Sequence, residues 1–90
     1  MQTIYEVSIL LVDDNPDLLA LVGDSLRTAG YTRIRTAATC ADARALFAAA
    51  TPELMILDIN LPDGDGFTLL RQLHAAADVP ALFLSARDAD

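Results

Sequence analysis

The sequence has a single cysteine, no lysine and no long apolar run. The lone cysteine, Cys40, excludes an internal disulfide and leaves no second thiolate for a metal site. No apolar segment approaches the roughly 18 residues of a membrane span, and the N-terminus lacks the basic region and cleavage site of a signal peptide. We therefore expect a cytoplasmic protein. The glycine motifs of nucleotide-binding loops are also missing, so nucleotide binding has no support from a motif.

Basic residues are scarce as well. Thirteen acidic residues face six basic ones, which gives the 90-residue chain a formal net charge of −7. This excess argues against direct contact with nucleic acid or an anionic membrane, and it leaves room for a bound cation. Hydrophobic residues make up 53% of the sequence against 21% charged residues. A chain of this length and composition is expected to form one globular domain with a small core.

Short strand-like segments alternate with helical patterns along the chain. The strand-like segments are SILLV, TRIRTA, LMILD and PALFLS, at residues 8–12, 32–37, 54–58 and 80–85. Because the order is strand, helix, strand, helix, strand, helix, strand, it predicts an α/β fold with a doubly wound parallel sheet covered by helices on both faces. The first and third segments are apolar throughout and are expected at the centre of the sheet, whereas the alternating second segment is typical of an edge.

Each helical pattern carries its own boundary signals. In the first helix Asn15 is expected to cap, Pro16 to occupy the first helical position and Gly30 to end the helix. Thr39 is expected to cap the second helix, and the third helix follows Asp65. The residues predicted to face the core are Leu18, Leu19, Val22 and Leu26, then Ala43, Leu46, Phe47 and Ala50, then Phe67, Leu69, Leu70 and Leu73.

Three acidic residues lie at the carboxyl ends of the first and third predicted strands. Asp13 and Asp14 follow the first strand, and Asp58 ends the third. Sites in open parallel sheets form at these ends, so the three carboxylates meet in one crevice if the two strands are neighbours. Their mutual repulsion then requires a cation or a raised pKa, and Mg²⁺ prefers oxygen ligands of this kind. The alternative is that these acids begin loops and cap the first helix.

The loop LPDGDG follows Asp58 and is rich in turn residues. Asp63 and Asp65 are expected to serve this turn and the start of the third helix. A calcium-binding loop that starts at Asp58 is excluded, because its glycine position holds Asp63 and its last ligand position holds Leu69. His74 is expected at the surface of the third helix, far from the strand ends.

Three segments resemble the receiver domain of two-component response regulators in their order and spacing: ILLVDDNPDLL, LMILDINLPDGDGFTLLRQL and ALFLSARD. The resemblance covers nearly the whole chain and implies a flavodoxin-like fold. It implies that Asp58 accepts a phosphoryl group from the phosphohistidine of a sensor histidine kinase. It also implies that Asp13, Asp14, Asp58 and the backbone carbonyl of Asn60 bind Mg²⁺, and that Ser85 is the switch hydroxyl.

Members of this family continue past the position of Asp90 with a fourth helix, a fifth strand that carries a lysine, and a fifth helix. Residues 1–90 are therefore expected to be a receiver domain that is incomplete at the C-terminus and lacks an output domain, either as a fragment or as a degenerate receiver. An unpaired fourth strand predicts an unstable chain, a homodimer or a domain-swapped oligomer. The segments SARD and LPDGDGF resemble OmpR-like transcriptional regulators with a DNA-binding output domain.

Two functions from different classes are compatible with these residues. The first is a phosphoacceptor switch at Asp58, and the second is a receiver-shaped interaction module that does not switch. An enzyme is not expected, since a haloacid-dehalogenase-like phosphatase requires a second aspartate where this sequence has Asn60.

Overall fold

The computed structural model describes residues 3–84, which form an open α/β sheet with helices on both faces. The strands are β1 (Ile9–Val12), β2 (Ile34–Ala37), β3 (Leu54–Asp58), β4 (Asn60–Leu61), β5 (Gly64–Asp65) and β6 (Ala81–Leu84). The helices are α1 (Pro16–Ala29), α2 (Cys40–Ala49) and α3 (Gly66–His74), preceded by a short 3-10 helix, Ile4–Glu6. The predicted alternation of strands and helices, and with it the doubly wound fold class, is confirmed.

The main sheet is parallel and has the strand order β2-β1-β3-β6. All four residues of β1 are buried, as are four of the five residues of β3, while β2 lies at an edge. The predicted central and edge positions are therefore confirmed. Because Val12 is in register with Leu57, the residues that follow β1 come out beside the end of β3. This register sets up the crevice at the carboxyl ends of the strands.

Successive residues of β1 pack against different helices. Leu10 and Val12 belong to a core cluster on the side of α2 and α3, with Phe47 and Leu69. Ile9 and Leu11 face the opposite side and pack against the partly buried residues Leu19, Val22 and Leu26 of α1. A strand buried on both faces favours an apolar residue at every position, which accounts for the unbroken apolar run ILLV of β1.

Local signals place the helix boundaries. The Asn15 side chain accepts hydrogen bonds from the backbone N–H groups of Asp17 (2.9 Å) and Leu18 (3.3 Å), and Gly30 ends α1 with φ of 115°. The Thr39 hydroxyl accepts from the Asp42 N–H at 3.0 Å at the start of α2. These capping predictions are confirmed.

Some predicted inward-facing residues lie elsewhere. α2 ends at Ala49, so Ala50 has an extended backbone and is exposed. Phe67 is 50% exposed and packs its ring on Phe83, with 4.6 Å between the ring centroids. Both predictions were wrong. Ala50 lies beyond the end of α2, and Phe67 lies in the first turn of α3, where the helical period does not decide which residues face the core. The predicted switch residue, Ser85, lies outside the described residues. Among the described helices, none is long and apolar enough to cross a membrane.

Candidate metal and phosphoacceptor site

The structure brings the three predicted acids together at the carboxyl ends of β1 and β3. Asp13, Asp14 and Asp58 each offer one carboxylate oxygen, and these oxygens all lie within 4.8 Å of one another. Asp13 and Asp58 are buried, whereas Asp14 is exposed at the mouth of the crevice. Asn15 rather than Asp14 caps α1, so the capping alternative does not account for Asp14.

Asp13 is the most deeply placed of the three acids, with 2% of its surface exposed. Its Oδ1 accepts a hydrogen bond from the Asn15 N–H at 2.8 Å, and its own N–H donates to the carbonyl of Ala37 on the edge strand. Burial raises the pKa of Asp13, the Asn15 hydrogen bond opposes this, and the negative charges of Asp58 and Asp14 raise it further. A bound cation would offset both the cost of burying the ionised carboxylate and the repulsion from Asp58 and Asp14.

The donor set fits Mg²⁺. All three side chains supply hard carboxylate oxygens, and the exposed side at Asp14 leaves room for the waters that Mg²⁺ retains. Asn60 begins β4, two residues after Asp58, and pairs with Asp65 across a short antiparallel ladder. The Asn60 side chain is exposed, and the role of its backbone carbonyl as a ligand stays a prediction.

Asp58 is the last residue of β3 and has 7% of its surface exposed. The backbone of Gly66 lies close to the backbone at Asp58 and Ile59. The Gly66 N–H donates to the carbonyl of Ile59 at 2.7 Å, and a Cβ at Gly66 would overlap the backbone carbonyl oxygen of Asp58. The segment from Asp58 to Gly66 is therefore folded back on itself through β4 and β5. The strand ladder of β4 and β5 was not predicted, because two-residue strands leave no periodic signal.

Asp63 has a role that local sequence reasoning missed. Its carboxylate accepts hydrogen bonds from the backbone N–H groups of Cys40 (2.7 Å) and Ala41 (3.0 Å), in the first turn of α2. These two hydrogen bonds lower the pKa of Asp63, and the one from Cys40 has the larger effect. The sequence does indicate that the N–H groups at the start of α2 need acceptors. It does not indicate that the acceptor is an acid 22 or 23 residues away. Asp65, by contrast, caps α3 through Thr68 as predicted.

We expect Asp63→Asn to destabilise the domain at neutral pH, because the amide lacks the charge that favours hydrogen bonds from a helix start. The folded-state pKa of Asp63 lies below its ordinary value of 3.8, so its stabilising effect is present above pH 3.8 and is lost as the pH falls through the lowered pKa. Thermal melts of the wild type and the variant should therefore differ near pH 7 and converge at strongly acidic pH. A difference that persists in acid would contradict this, and Asp24→Asn, at an exposed position of α1, is the matched control.

A doubly wound parallel sheet with clustered acids at its switch point defines an α/β domain with a candidate divalent-cation site. The family model described as the response regulator receiver domain matches residues 9–90. The chain is 43% identical over 84 residues to the transcriptional regulatory protein CssR of Bacillus subtilis, covering 92% of this chain and 36% of that protein. The chain therefore belongs to the response regulator receiver family.

Solved receiver structures match the fold closely. The non-phosphorylated HemR receiver domain of Leptospira biflexa has a TM-score of 0.82 and 34% identity, covering 94% of this chain and 68% of that one. The BeF3-activated N-terminal receiver domain of Klebsiella pneumoniae RstA also has a TM-score of 0.82, with 30% identity, covering 92% of this chain and 70% of that one. The chain spans about a third of the length of the curated regulators it matches. Receiver domains are signalling domains that bind Mg²⁺ at an acidic pocket and interact with sensor histidine kinases.

Proposed function

We propose that this protein is a phosphoacceptor switch in which Asp58 takes a phosphoryl group from the phosphohistidine of a sensor histidine kinase. The observation that carries this proposal is the group of carboxylate oxygens from Asp13, Asp14 and Asp58 within 4.8 Å of one another, in a chain of the receiver family. Asp13 and Asp14, with Asp58 and the backbone carbonyl of Asn60, would hold Mg²⁺. The bound ion supplies neutralisation of the negative charge on the phosphoryl oxygens.

The proposed transfer asks little covalent chemistry of the protein. A carboxylate oxygen of Asp58 attacks phosphorus in line with the P–N bond, a P–O bond forms, and the imidazole leaves with the electron pair of the broken bond and takes up a proton. Asp58 needs no general base, since an ionised carboxylate is already a nucleophile. Its position at the end of a fully paired central strand limits its motion, which favours an in-line approach.

Ser85 is proposed as the hydroxyl that responds to the new charge on Asp58. It lies outside the described residues, and the support comes from its neighbour in the chain. Leu84, the last described residue of β6, is the register partner of Asp58 in β3. Because Ser85 is the next residue in the sequence, we assign it the role that the resemblance to receiver domains implies, that of a hydroxyl responding to a change of charge.

The relatives support a proposal about the role of the whole protein. Several are named as transcriptional regulators, and the chain corresponds to about a third of their length. We propose that residues 1–90 form receiver sequence of a cytoplasmic, DNA-binding regulator. In this proposal the receiver acts as a switch and turns over no substrate of its own.

Incubation with acetyl phosphate and Mg²⁺, followed by intact mass measurement, tests the acceptor. We expect a phosphoryl adduct on the wild type and on Asp17→Asn, an exposed acid of α1 outside the cluster. Asp58→Asn should give no adduct, and chelation of Mg²⁺ should suppress the adduct on the wild type. Absence of an adduct on a folded wild-type chain would overturn the proposal.

A second candidate is a receiver-shaped module that associates without switching, as a homodimer or a domain-swapped oligomer. Within residues 3–84, β6 pairs with β3 alone, and Leu82 on β6 is 59% exposed. An apolar strand with an unpaired edge favours pairing with another chain. Light scattering of the same samples separates the two candidates: an oligomer that forms no adduct and is unchanged by Asp58→Asn supports the module.

A further inference from the structure

A cavity lies at the end of the sheet opposite the three acids, and its lining includes polar and charged residues. It has a volume of about 310 Å³ and lies where β1 and β2 begin, beside the last turn of α2. Its lining residues are Ser8, Thr32, Arg33, Ile34, Arg35 and Ala50. Two of these are arginines, in a chain whose formal net charge is −7. This cavity has no part in the proposed phosphoryl transfer, since the acceptor lies at the other end of β3.

Ser8 is a buried residue that lines this cavity, and its hydroxyl has no hydrogen-bond partner among the described residues. The residue is 7% exposed, and its backbone is fully used: its N–H donates to the Glu53 carboxylate at 2.9 Å, and its carbonyl accepts from the N–H groups of Glu53 and Leu54. Its Oγ makes no hydrogen bond to any residue between 3 and 84. A polar ligand in the cavity would give this hydroxyl a hydrogen-bond partner.

The two arginines keep donors free. Arg33 donates one hydrogen bond, from Nη1 to the backbone carbonyl of Glu6 at 3.2 Å. Arg35 donates two, from Nη1 to the carbonyl of Leu46 at 2.8 Å and from Nη2 to that of Ala50 at 2.6 Å. A guanidinium has five N–H donors in a planar fork, so both groups can still bind an anion. The bonds of Arg35 also cover the negative end of α2, which would otherwise repel an anion.

Two carboxylates lie near this cavity, those of Glu6 and Glu53. Glu6 accepts a hydrogen bond from the Thr3 N–H at 3.3 Å, and Glu53 accepts from the Ser8 N–H. The described ion pairs of the chain are on α1 and at the end of α3, away from this cavity. The described hydrogen bonds of Arg33 and Arg35 all go to backbone carbonyls, so within residues 3–84 neither guanidinium donates to a carboxylate.

We propose that this cavity is a binding site for a small oxyanion of the phosphate class, held by Arg33 and Arg35 and by the hydroxyl of Ser8. Arginine forks bind planar pairs of anionic oxygens with two parallel hydrogen bonds, and a hydroxyl donates to a third oxygen. The cavity volume lies at the lower end of the range of small-ligand pockets, which suits a compact anion.

Titration with inorganic phosphate without Mg²⁺, followed by NMR of the backbone amides and arginine Nε–H groups, tests this site. We expect saturable shifts at Ser8, Arg33 and Arg35, absent with sodium chloride at equal ionic strength. Arg33→Gln should raise the Kd at least about tenfold, as loss of a charged donor pair predicts. Ser8→Ala, which keeps both backbone contacts, should raise it several-fold.

Two controls keep the result independent of the acceptor site. Arg44→Gln removes an arginine whose side chain contacts Gln72 on α3, and it should leave phosphate affinity unchanged. Asp58→Asn should also leave it unchanged. Shifts that rise linearly without saturation, or an equal Kd in the wild type and in Arg33→Gln, would overturn the proposal.

Discussion

Gly66→Ala is expected to destabilise the domain by roughly 2–3 kcal/mol, at the upper end of the range for overpacking a buried site. The new methyl would overlap the backbone carbonyl oxygen of Asp58 and would also lie 3.1 Å from the Phe83 ring. Backbone of a central strand cannot move aside as a side chain can, so β3 or the start of α3 must shift. That shift also strains the 2.7 Å hydrogen bond from the Gly66 N–H to Ile59. Urea denaturation of both proteins measures the loss.

The same substitution should slow phosphorylation of Asp58 in molecules that remain folded, because the overlap is with the backbone of the acceptor residue itself. Gly23→Ala is the matched control. Gly23 is also buried, but its Cβ would meet the guanidinium of Arg27 at 3.2 Å, the far end of a flexible side chain. Alanine in a helix interior gains about 0.5–1 kcal/mol over glycine, so this variant should be slightly stabilised. Equal effects of the two substitutions would contradict the close approach at Gly66.

The fold could be predicted because its main signals are local. An apolar run such as LMILD can be buried on both faces of a sheet, and the residues Asn15, Pro16 and Gly30 each favour one position of a helix boundary. The order of the elements then restricts the topology to a few arrangements. The convergence of the acids also followed, since parallel strands that are neighbours bring their carboxyl ends to one edge.

The rest depends on contacts between residues distant in the sequence. Three contacts arise only once the elements have packed: the hydrogen bond from Cys40 to Asp63, the ring contact of Phe67 with Phe83 and the approach of Gly66 to Asp58. Local reasoning assigned Asp63 and Gly66 to a turn. It could not show that Asp63 contacts the start of α2 or that Gly66 lies against the end of β3. The free hydroxyl of Ser8 is likewise visible only where β1, β2 and α2 meet.

Addition of Mg²⁺ is expected to stabilise the wild type strongly. An ion that binds the folded state alone adds about 2.7 kcal/mol at a hundredfold excess over its Kd, which corresponds to a rise in Tm of roughly 10–20 °C for a domain of this size. Burial and the charges of Asp58 and Asp14 raise the pKa of Asp13 above 3.8, so its ionised form destabilises the metal-free fold at neutral pH. That destabilisation is relieved as the pH falls through the raised pKa towards 3.8.

Asp13→Asn should therefore raise the metal-free Tm at neutral pH and reduce the response to Mg²⁺. The amide keeps an oxygen that can accept the Asn15 N–H, so the turn into α1 survives the change. Asp17→Asn, at an exposed position in the first turn of α1, should leave the Mg²⁺ response close to that of the wild type. Thermal melts with and without Mg²⁺ at two pH values measure all of these effects. A metal-free Asp13→Asn that melts below the wild type would show that the charge of Asp13 stabilises the fold, and an undiminished Mg²⁺ response would place the ion elsewhere.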